Sequence, residues 1–273
     1  MNPVRNPTTE KNQETGDGRE AGAGSLHVLR HLTIAEAKLL LRDPTPVLVG
    51  MLLPTVMLLG LGALPALREP SADFGGIRFV DYWAPTALIF AMLLLAMHLP
   101  NIIAAYREQG VLRRMSTTPV HPGMVLAAQL IVVTGAILVA AALLLVSSRL
   151  VLDVPLPQQP GLFAAAFGVG ALSLIALGML IAAVAPNARV ANVLAMVLYF
   201  VIMLVSGLFL PRFMLPDFVV DLGEVTPPGV QLLLDSWTGV AEPAGLSHLA
   251  QFAIMGAIAV VVAVVAARLF RWD

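Results

Sequence analysis

Residues 162–210 read LFAAAFGVGALSLIALGMLIAAVAPNARVANVLAMVLYFVIMLVSGLFL, two apolar runs separated by the short turn 186–189. Arg189 is the only charged residue in the stretch. A helix needs roughly 20 mostly apolar residues to cross the hydrocarbon core of a bilayer, and each run meets that length. The stretch therefore predicts two membrane-spanning helices that form a tight antiparallel pair, because the turn between them is so short.

The composition of the whole chain also indicates a bilayer environment. Hydrophobic residues make up 58% of the chain and charged residues only 12%, whereas soluble domains carry roughly 25% charged residues. The sequence thus predicts an all-α integral membrane protein. Its transmembrane domain, residues 44–273, has six predicted spans, at about 47–67, 82–105, 124–147, 162–185, 190–210 and 246–267.

Two segments precede the first predicted span. Residues 1–24 are polar and contain no apolar run, so we expect a disordered cytosolic tail. Residues 25–43 are expected to form an amphipathic helix at the cytoplasmic membrane interface, held by lipid headgroups. An ordinary soluble helix packed on a partner is the alternative. The helix carries a basic stripe beside its apolar face, formed by His27, His31, Lys38 and Arg42.

The distribution of Lys and Arg fixes the predicted orientation. Of the 16 basic residues, 12 lie in the two termini and in the loops that share their side of the membrane. Loops rich in Lys and Arg remain in the cytoplasm. We therefore predict a multi-pass protein of the cell (plasma) membrane with both termini cytoplasmic.

Missing residue types exclude several functions. The predicted spans contain no Asp, Glu, Lys or Arg in their interiors, which argues against carriers driven by proton or sodium gradients. His98 is the only ionisable candidate, and we interpret it as a packed neutral histidine. The phosphate-binding motif GxxxxGK[ST] is absent, because neither of the two lysines follows a glycine. Any ATP hydrolysis must therefore occur in another polypeptide.

Acidic residues cluster in the predicted outer loop before the last span. They lack a recurrent ligand spacing, and no histidine accompanies them until His248, so we interpret them as a solvated acidic face. No catalytic residue, metal site or nucleic-acid contact is predicted. The acidic residues concerned are Asp217, Asp221, Glu224, Asp235 and Glu242.

Three segments carry a resemblance to a known family. Residues 39–62 read LLLRDPTPVLVGMLLPTVMLLGLG, residues 106–123 read YREQGVLRRMSTTPVHPG, and residues 206–234 read SGLFLPRFMLPDFVVDLGEVTPPGVQLLL. The first segment contains the pattern Arg-Asp-Pro, the second contains Glu-x-Gly-x-Leu-x-Arg, and the third contains Ser-Gly-x-x-x-Pro. In this order the chain resembles the type-two family of ABC exporter permeases, and most of all its daunorubicin-resistance-like branch.

The resemblance implies a role for the cytoplasmic loop between the second and third spans. It would be the coupling element that docks on a separate ATPase subunit, while anchoring to lipid headgroups is the alternative for its arginines. The implied residues are Arg107, Glu108, Gln109, Gly110, Arg113 and Arg114.

The resemblance also implies short re-entrant helices before the last span, which would form an external gate. The prolines that interrupt this apolar segment agree with broken backbone at membrane depth. A loop lying flat on the outer surface, with Trp237 as an interface anchor, is the alternative. The implied gate residues are Gly207, Pro211, Phe213 and Pro216.

Two helical stripes are candidates for the substrate path. They combine apolar side chains, flexible methionines and isolated polar groups, which suits an amphipathic organic molecule. Helix–helix packing is the alternative for any single member. The second span contributes Thr86, Phe90, Met97 and Asn101, and the fifth span contributes Asn192, Met196, Tyr199, Met203 and Ser206.

These observations predict a permease subunit rather than an enzyme. Two copies of the chain, or one copy and a paralogue, would bind two ATPase subunits, which hold ATP and Mg²⁺. This chain itself would carry no cofactor, and its remaining partner is membrane lipid. The cargo would be an amphipathic drug, antibiotic or lipid. A polysaccharide or glycolipid exporter is one alternative, and a channel or scaffold not driven by ATP is another.

Overall fold

A computed structural model describes residues 26–71, 76–111, 114, 123–205, 215–239 and 246–270. Within these ranges the regular secondary structure is helical and contains no β-strand. Five helices are long and apolar enough to cross a membrane, or six when one sharply bent pair counts as a span. The predicted all-α membrane fold is therefore confirmed.

The bent pair consists of helix α1 (Leu26–Arg42) and the first span, which runs from Pro46 to Gly62 and meets α1 at 87°. The first span begins with a π-helical turn (Pro46–Leu52) and continues as α2 (Leu53–Gly62). It ends earlier than the predicted residue 67. Pro65 disfavours the helical conformation at the preceding residue, and Leu64 is extended.

The second span, residues Phe79–Glu108, is the most enclosed of the candidate spans. It consists of α3 (Phe79–Ala96) and α4 (His98–Glu108), which are separated by a break at Met97. Pro100 explains the break, because it has no N–H to donate to the carbonyl of Ala96 four residues earlier. That carbonyl oxygen lies close to Gly178 of the fourth span, 3.1 Å from where a β-carbon would stand.

The four remaining spans are α5 (Gly123–Leu152), α6 (Pro160–Val184), α7 (Ala188–Val205) and α10 (His248–Leu269). They match the predicted third to sixth spans, although predicted positions 206–210 of the fifth lie outside the described residues. The second and fourth spans form the centre of the bundle, and α7 and α10 expose most of their length. Exposed apolar side chains on α7 and α10 suit helices whose solvent is lipid.

Two short helices, α8 (Asp217–Val225) and α9 (Val230–Thr238), lie between the fifth and sixth spans. Helix α9 packs mainly on α6, where the ring of Trp237 meets that of Phe163 at a centroid distance of 5.7 Å. Trp237 is buried, so the alternative of an interface anchor is wrong.

The interpretation of the acidic residues as a solvated face is also corrected by this region. Asp217 and Asp221 are exposed as expected, but Glu224 and Asp235 are buried. Both buried carboxylates accept hydrogen bonds from backbone or side-chain groups. The composition of the loop does not show which of its acidic residues have such donors. Glu242 lies outside the described residues.

Candidate functional site

A cavity of about 360 Å³ lies between the first, second and fifth spans. Five of the nine predicted path residues line it, namely Met97, Asn101, Asn192, Met196 and Tyr199. The two predicted stripes therefore meet in space. The remaining lining residues are Thr45, Pro46, Val49, Gly50, Leu94, His98, Ala195 and Phe200.

Four predicted path residues do not line this cavity. Thr86 and Met203 are buried by packing within the bundle, as the helix-packing alternative expects. Phe90 makes a ring contact with Tyr199 at a centroid distance of 6.2 Å, so it supports the wall from behind. Ser206 lies outside the described residues.

Helices α4 and α7 each contribute two polar residues to the cavity, His98 and Asn101 from α4 and Asn192 and Tyr199 from α7. Asn101 Nδ2 donates to the Met97 carbonyl at 3.3 Å and to Asn192 Oδ1 at 3.4 Å, which links the second and fifth spans. Asn101 Oδ1 and His98 Nε2 are buried and have no hydrogen-bond partner in the described part of the chain. His98 thus lines the cavity, whereas the sequence analysis interpreted it only as a histidine packed between helices.

At the C-terminal end of α4, Arg107 and Glu108 contact the turn between the fourth and fifth spans. The Arg107 guanidinium donates to the carbonyls of Ala182, at 3.2 Å, and Ala185 at the end of α6. The Glu108 carboxylate accepts the first N–H of α7, from Ala188, at 3.2 Å. A cation at a helix C-terminus and an anion at a helix N-terminus both complement the helix dipole. We call this arrangement the hairpin clamp.

The other predicted coupling residues lie beyond the clamp. Gly110 has φ of +66° and ends α4, a conformation that favours glycine. Gln109 is exposed, and its carbonyl accepts a hydrogen bond from Arg114 Nη2 at 3.2 Å. Arg113 lies outside the described residues.

Helix α1 exposes the predicted basic stripe and is fixed to the bundle by a residue that the sequence did not indicate. His27, His31, Lys38 and Arg42 are all exposed. Glu36 is buried, and its Oε2 accepts hydrogen bonds from Tyr106 Oη at 2.7 Å and Gln129 Nε2 at 2.6 Å. Burial raises the pKa of the Glu36 carboxyl, and the hydrogen bond from Tyr106 partly opposes that rise.

The region of α8, α9 and the start of α10 carries a buried polar network, while most predicted gate residues are not described. Glu224 accepts the Leu246 N–H at 3.0 Å, and Asp235 contacts Gln231 at 2.5 Å and His248 at 3.1 Å. In the described ranges, no three His, Asp or Glu side chains converge as metal ligands would. Pro216 directly precedes α8, and the other predicted gate residues, Gly207, Pro211 and Phe213, lie outside the described residues.

A family model described as ABC-2 type transporter matches residues 27–228, which is more than half of the chain. The chain belongs to the ABC-2 type transporter family. The predicted type-two permease family is therefore confirmed, and this ABC-2 type transporter is a multi-pass membrane subunit of an ABC transporter. No curated protein and no solved structure matches the chain.

The cavity, the hairpin clamp and Glu36 all lie within the range that matches the ABC-2 type transporter model. The sequence analysis missed the role of Glu36 and the place of His98 in the cavity wall. Glu36 is the only acid on the basic helix α1, and its spacing from Leu32 and Leu40 places it on their face. His98 lies one helical turn before Asn101, a predicted path residue. Both spacings could have indicated these positions.

Proposed function

We propose that this chain is the permease subunit of an ATP-driven exporter, and that an amphipathic drug, antibiotic or lipid passes through the cavity between the first, second and fifth spans. The observation that carries the proposal is the meeting of two predicted stripes in one cavity. Its wall combines apolar side chains with a few separate polar groups, which is the usual composition of sites for organic ligands.

The energy comes from two copies of a separate ATPase subunit that bind ATP and Mg²⁺. These subunits dock on the cytoplasmic loop after α4, which includes Gln109, Gly110, Arg113 and Arg114. Arg107 and Glu108 have a different role in this proposal, because both face the turn between α6 and α7. They transmit the movement of the loop to the fourth and fifth spans.

Helix α4 is the rigid connector between docking and cavity. Its first turns carry His98 and Asn101, and its last turn carries Arg107 and Glu108. The break at Met97 removes the continuous hydrogen bonding that would otherwise hold α4 rigidly to α3. A displacement of the loop therefore moves the polar groups of the cavity and the hairpin clamp together.

A second permease, either another copy or a paralogue, completes the transporter. The first span and α7 expose large apolar side chains beside the cavity, among them Val56 at 60%, Met196 at 57% and Phe200 at 49%. Helices associate in membranes through van der Waals packing of their apolar faces, and we assign this face to the contact with the second permease. The assembly lies in the plasma membrane with cytoplasmic termini, and lipid headgroups hold the exposed basic stripe of α1.

We assign the closing of the outer exit to α8 and α9, which follow the predicted gate residue Pro216; the other predicted gate residues, Gly207, Pro211 and Phe213, lie outside the described residues. The buried network around Asp235 and the packing of Trp237 support a closed conformation of this external gate. Outward release then requires α9 to separate from the fourth span.

Purification of the tagged chain from detergent-solubilised membranes of its native host tests the proposal. We expect an ATPase subunit to co-purify, with vanadate-sensitive hydrolysis in the eluate. Glu108→Lys should weaken ATP-driven export at equal expression, whereas Glu108→Gln retains a hydrogen-bond acceptor and should weaken it less. A chain that purifies without any ATPase and conducts without ATP would favour a channel instead.

A further inference from the structure

Two histidines lie side by side on the exposed surface of α1, apart from the cavity and the hairpin clamp. His27 and His31 are four residues apart, a spacing that places both side chains on one face of a helix. Their Nε2 atoms are 2.9 Å apart, and the centroids of their rings are 4.4 Å apart. Both residues are exposed, so an ion can reach the two nitrogens from outside the bundle.

The distance between the two nitrogens matches the distance between neighbouring imidazole ligands of a metal ion. Imidazole nitrogens bind first-row metal ions at about 2.0–2.1 Å. Two such bonds at a right angle place the nitrogens about 2.9 Å apart, whereas a tetrahedral angle places them about 3.3–3.4 Å apart. His27 and His31 therefore fit an ion of tetragonal or octahedral geometry without any change in the backbone.

In the absence of an ion, one imidazole donates a hydrogen bond from Nε2 to the other across the same distance. Metal binding needs the lone pairs of both Nε2 atoms, so the donor ring must then carry its proton on Nδ1 instead. Each ring must also turn until both lone pairs point to one ion. The exposure of both residues permits this rotation.

The ligand type and the geometry together identify the class of ion. Neutral imidazole suits Zn²⁺, Cu²⁺ and Ni²⁺, tetragonal nitrogen sites are typical of Cu²⁺ and Ni²⁺, and Cu²⁺ binds most tightly in this series. The chain has no cysteine whose thiolate would compete for such ions. In the described ranges no third His, Asp or Glu joins the pair, so water occupies the remaining coordination positions.

We propose that His27 and His31 form a two-ligand site for Cu²⁺ or Ni²⁺ that fastens the first turns of α1. The ion would join residues one helical turn apart, so this turn cannot unwind while both nitrogens are bound. Lys38 and Arg42 lie further along α1 and stay available to lipid headgroups. The site goes beyond the proposed function, because it requires neither ATP nor a cargo.

Titration of the chain with Cu²⁺ in lipid nanodiscs, followed by electron paramagnetic resonance, tests the site. The chain is purified with a tag that contains no histidine. We expect one tightly bound equivalent whose spectrum shows two coordinated nitrogens. His27→Gln and His31→Gln should each weaken binding about tenfold or more, because the second ligand of a chelate binds intramolecularly. Arg30→Gln should strengthen binding, because exposed Arg30 lies three residues from His27 and its charge repels the ion.

A matched control keeps the composition and changes only the spacing of the histidines. His31→Ala combined with Ala35→His exchanges two exposed residues and leaves the histidines eight positions apart, which is about 12 Å along the helix. Since the two rings can no longer share an ion, this chain should bind Cu²⁺ as weakly as His27→Gln does. Three histidines are retained in every variant, namely His98, His121 and His248.

Amide hydrogen exchange tests whether the ion fastens α1. With Cu²⁺ at about 100 times its dissociation constant, exchange through opening of the first turns should slow about 100-fold in the parent chain and remain unchanged in the spacing control. Undiminished binding by either glutamine variant or by the spacing control would overturn the site, and so would a spectrum with one coordinated nitrogen or tighter binding of Zn²⁺ than of Cu²⁺. Unchanged exchange with the ion bound would refute the fastening of α1.

Discussion

The packing of the turn before α9 on the fourth span depends on the absence of a side chain at Gly170. A β-carbon at this position would stand 2.3 Å from the carbonyl oxygen of Pro228 and 3.2 Å from its carbonyl carbon. The opposing atoms belong to backbone, so no side-chain rotation can relieve the contact. Gly170→Ala therefore forces the turn before α9 away from α6 by about 1 Å, since non-bonded carbon and oxygen atoms need more than 3 Å.

The loss of stability caused by this clash can be estimated by comparing Gly170→Ala with a matched substitution on the same helix. Gly168 has open space where its β-carbon would stand, with no atom within 4 Å. Both substitutions gain the same helix propensity, roughly 1 kcal/mol, so the difference between the two variants isolates the clash. Overpacking of this kind costs about 1–3 kcal/mol. At roughly 2–4 °C per kcal/mol for a chain of this size, Gly170→Ala should melt several degrees below Gly168→Ala.

Two measurements check this prediction. Thermal unfolding in detergent compares the stability of the two variants, and a single cysteine at Thr226 reports the gate turn, because the natural chain has none. A maleimide added to the detergent-solubilised chain should label Thr226→Cys faster in the Gly170→Ala background. Equal melting temperatures and equal labelling rates in the two backgrounds would refute the close approach of α6 and the turn.

Three further predictions concern carboxylates. Burial raises the pKa of Glu36 above its ordinary 4.5, so the folded chain favours the protonated carboxyl. The protonated carboxyl therefore contributes to the free energy of unfolding below about pH 4.5, and this contribution is lost as the pH rises through the raised pKa. Glu36→Gln should remove that pH dependence from thermal unfolding measured between pH 4 and 8. Glu108→Lys places a cation at the N-terminus of α7 and should cost about 0.3–1 kcal/mol of stability relative to Glu108→Gln; equal melting temperatures would contradict the hairpin clamp. Asp235→Asn weakens the contact with His248 and should cost about 1–3 kcal/mol, while exposed Asp217→Asn should have little effect on the melting temperature.

The spans could be predicted from the sequence because the bilayer sets their length and apolar character. Their ends were less predictable, as the first span shows, where Pro65 stops the helix at Gly62 although the apolar run continues. Helical spacing also identified some of the residues that line the cavity, but not all of the candidate path residues do so. Helical spacing identifies the residues that share one face, but only packing decides whether that face meets a cavity, as at Asn101, or the core, as at Thr86.

The contacts made by charged side chains fall into two groups, according to how far apart the two partners are along the chain. Arg78 with Asp81, and Arg149 with Asp153, are separated by three and four residues, so helical spacing alone indicates them. The contacts of Glu36, Arg107 and Glu108 join residues 70 or more positions apart. Spacing therefore gives no sign of them.

The hairpin clamp has a further property that hides it from sequence reasoning and decides how it is tested. The partners of Arg107 and Glu108 are backbone groups of Ala182, Ala185 and Ala188, and every residue type except proline offers the same groups. No pattern in the turn between α6 and α7 can therefore indicate the contact. For the same reason, a side-chain exchange at those alanines leaves the backbone partners in place, so a double-mutant cycle is uninformative. Only changes at Arg107 and Glu108 remove the clamp, and charge-reversal at Glu108 compared with its neutral isostere is the decisive pair.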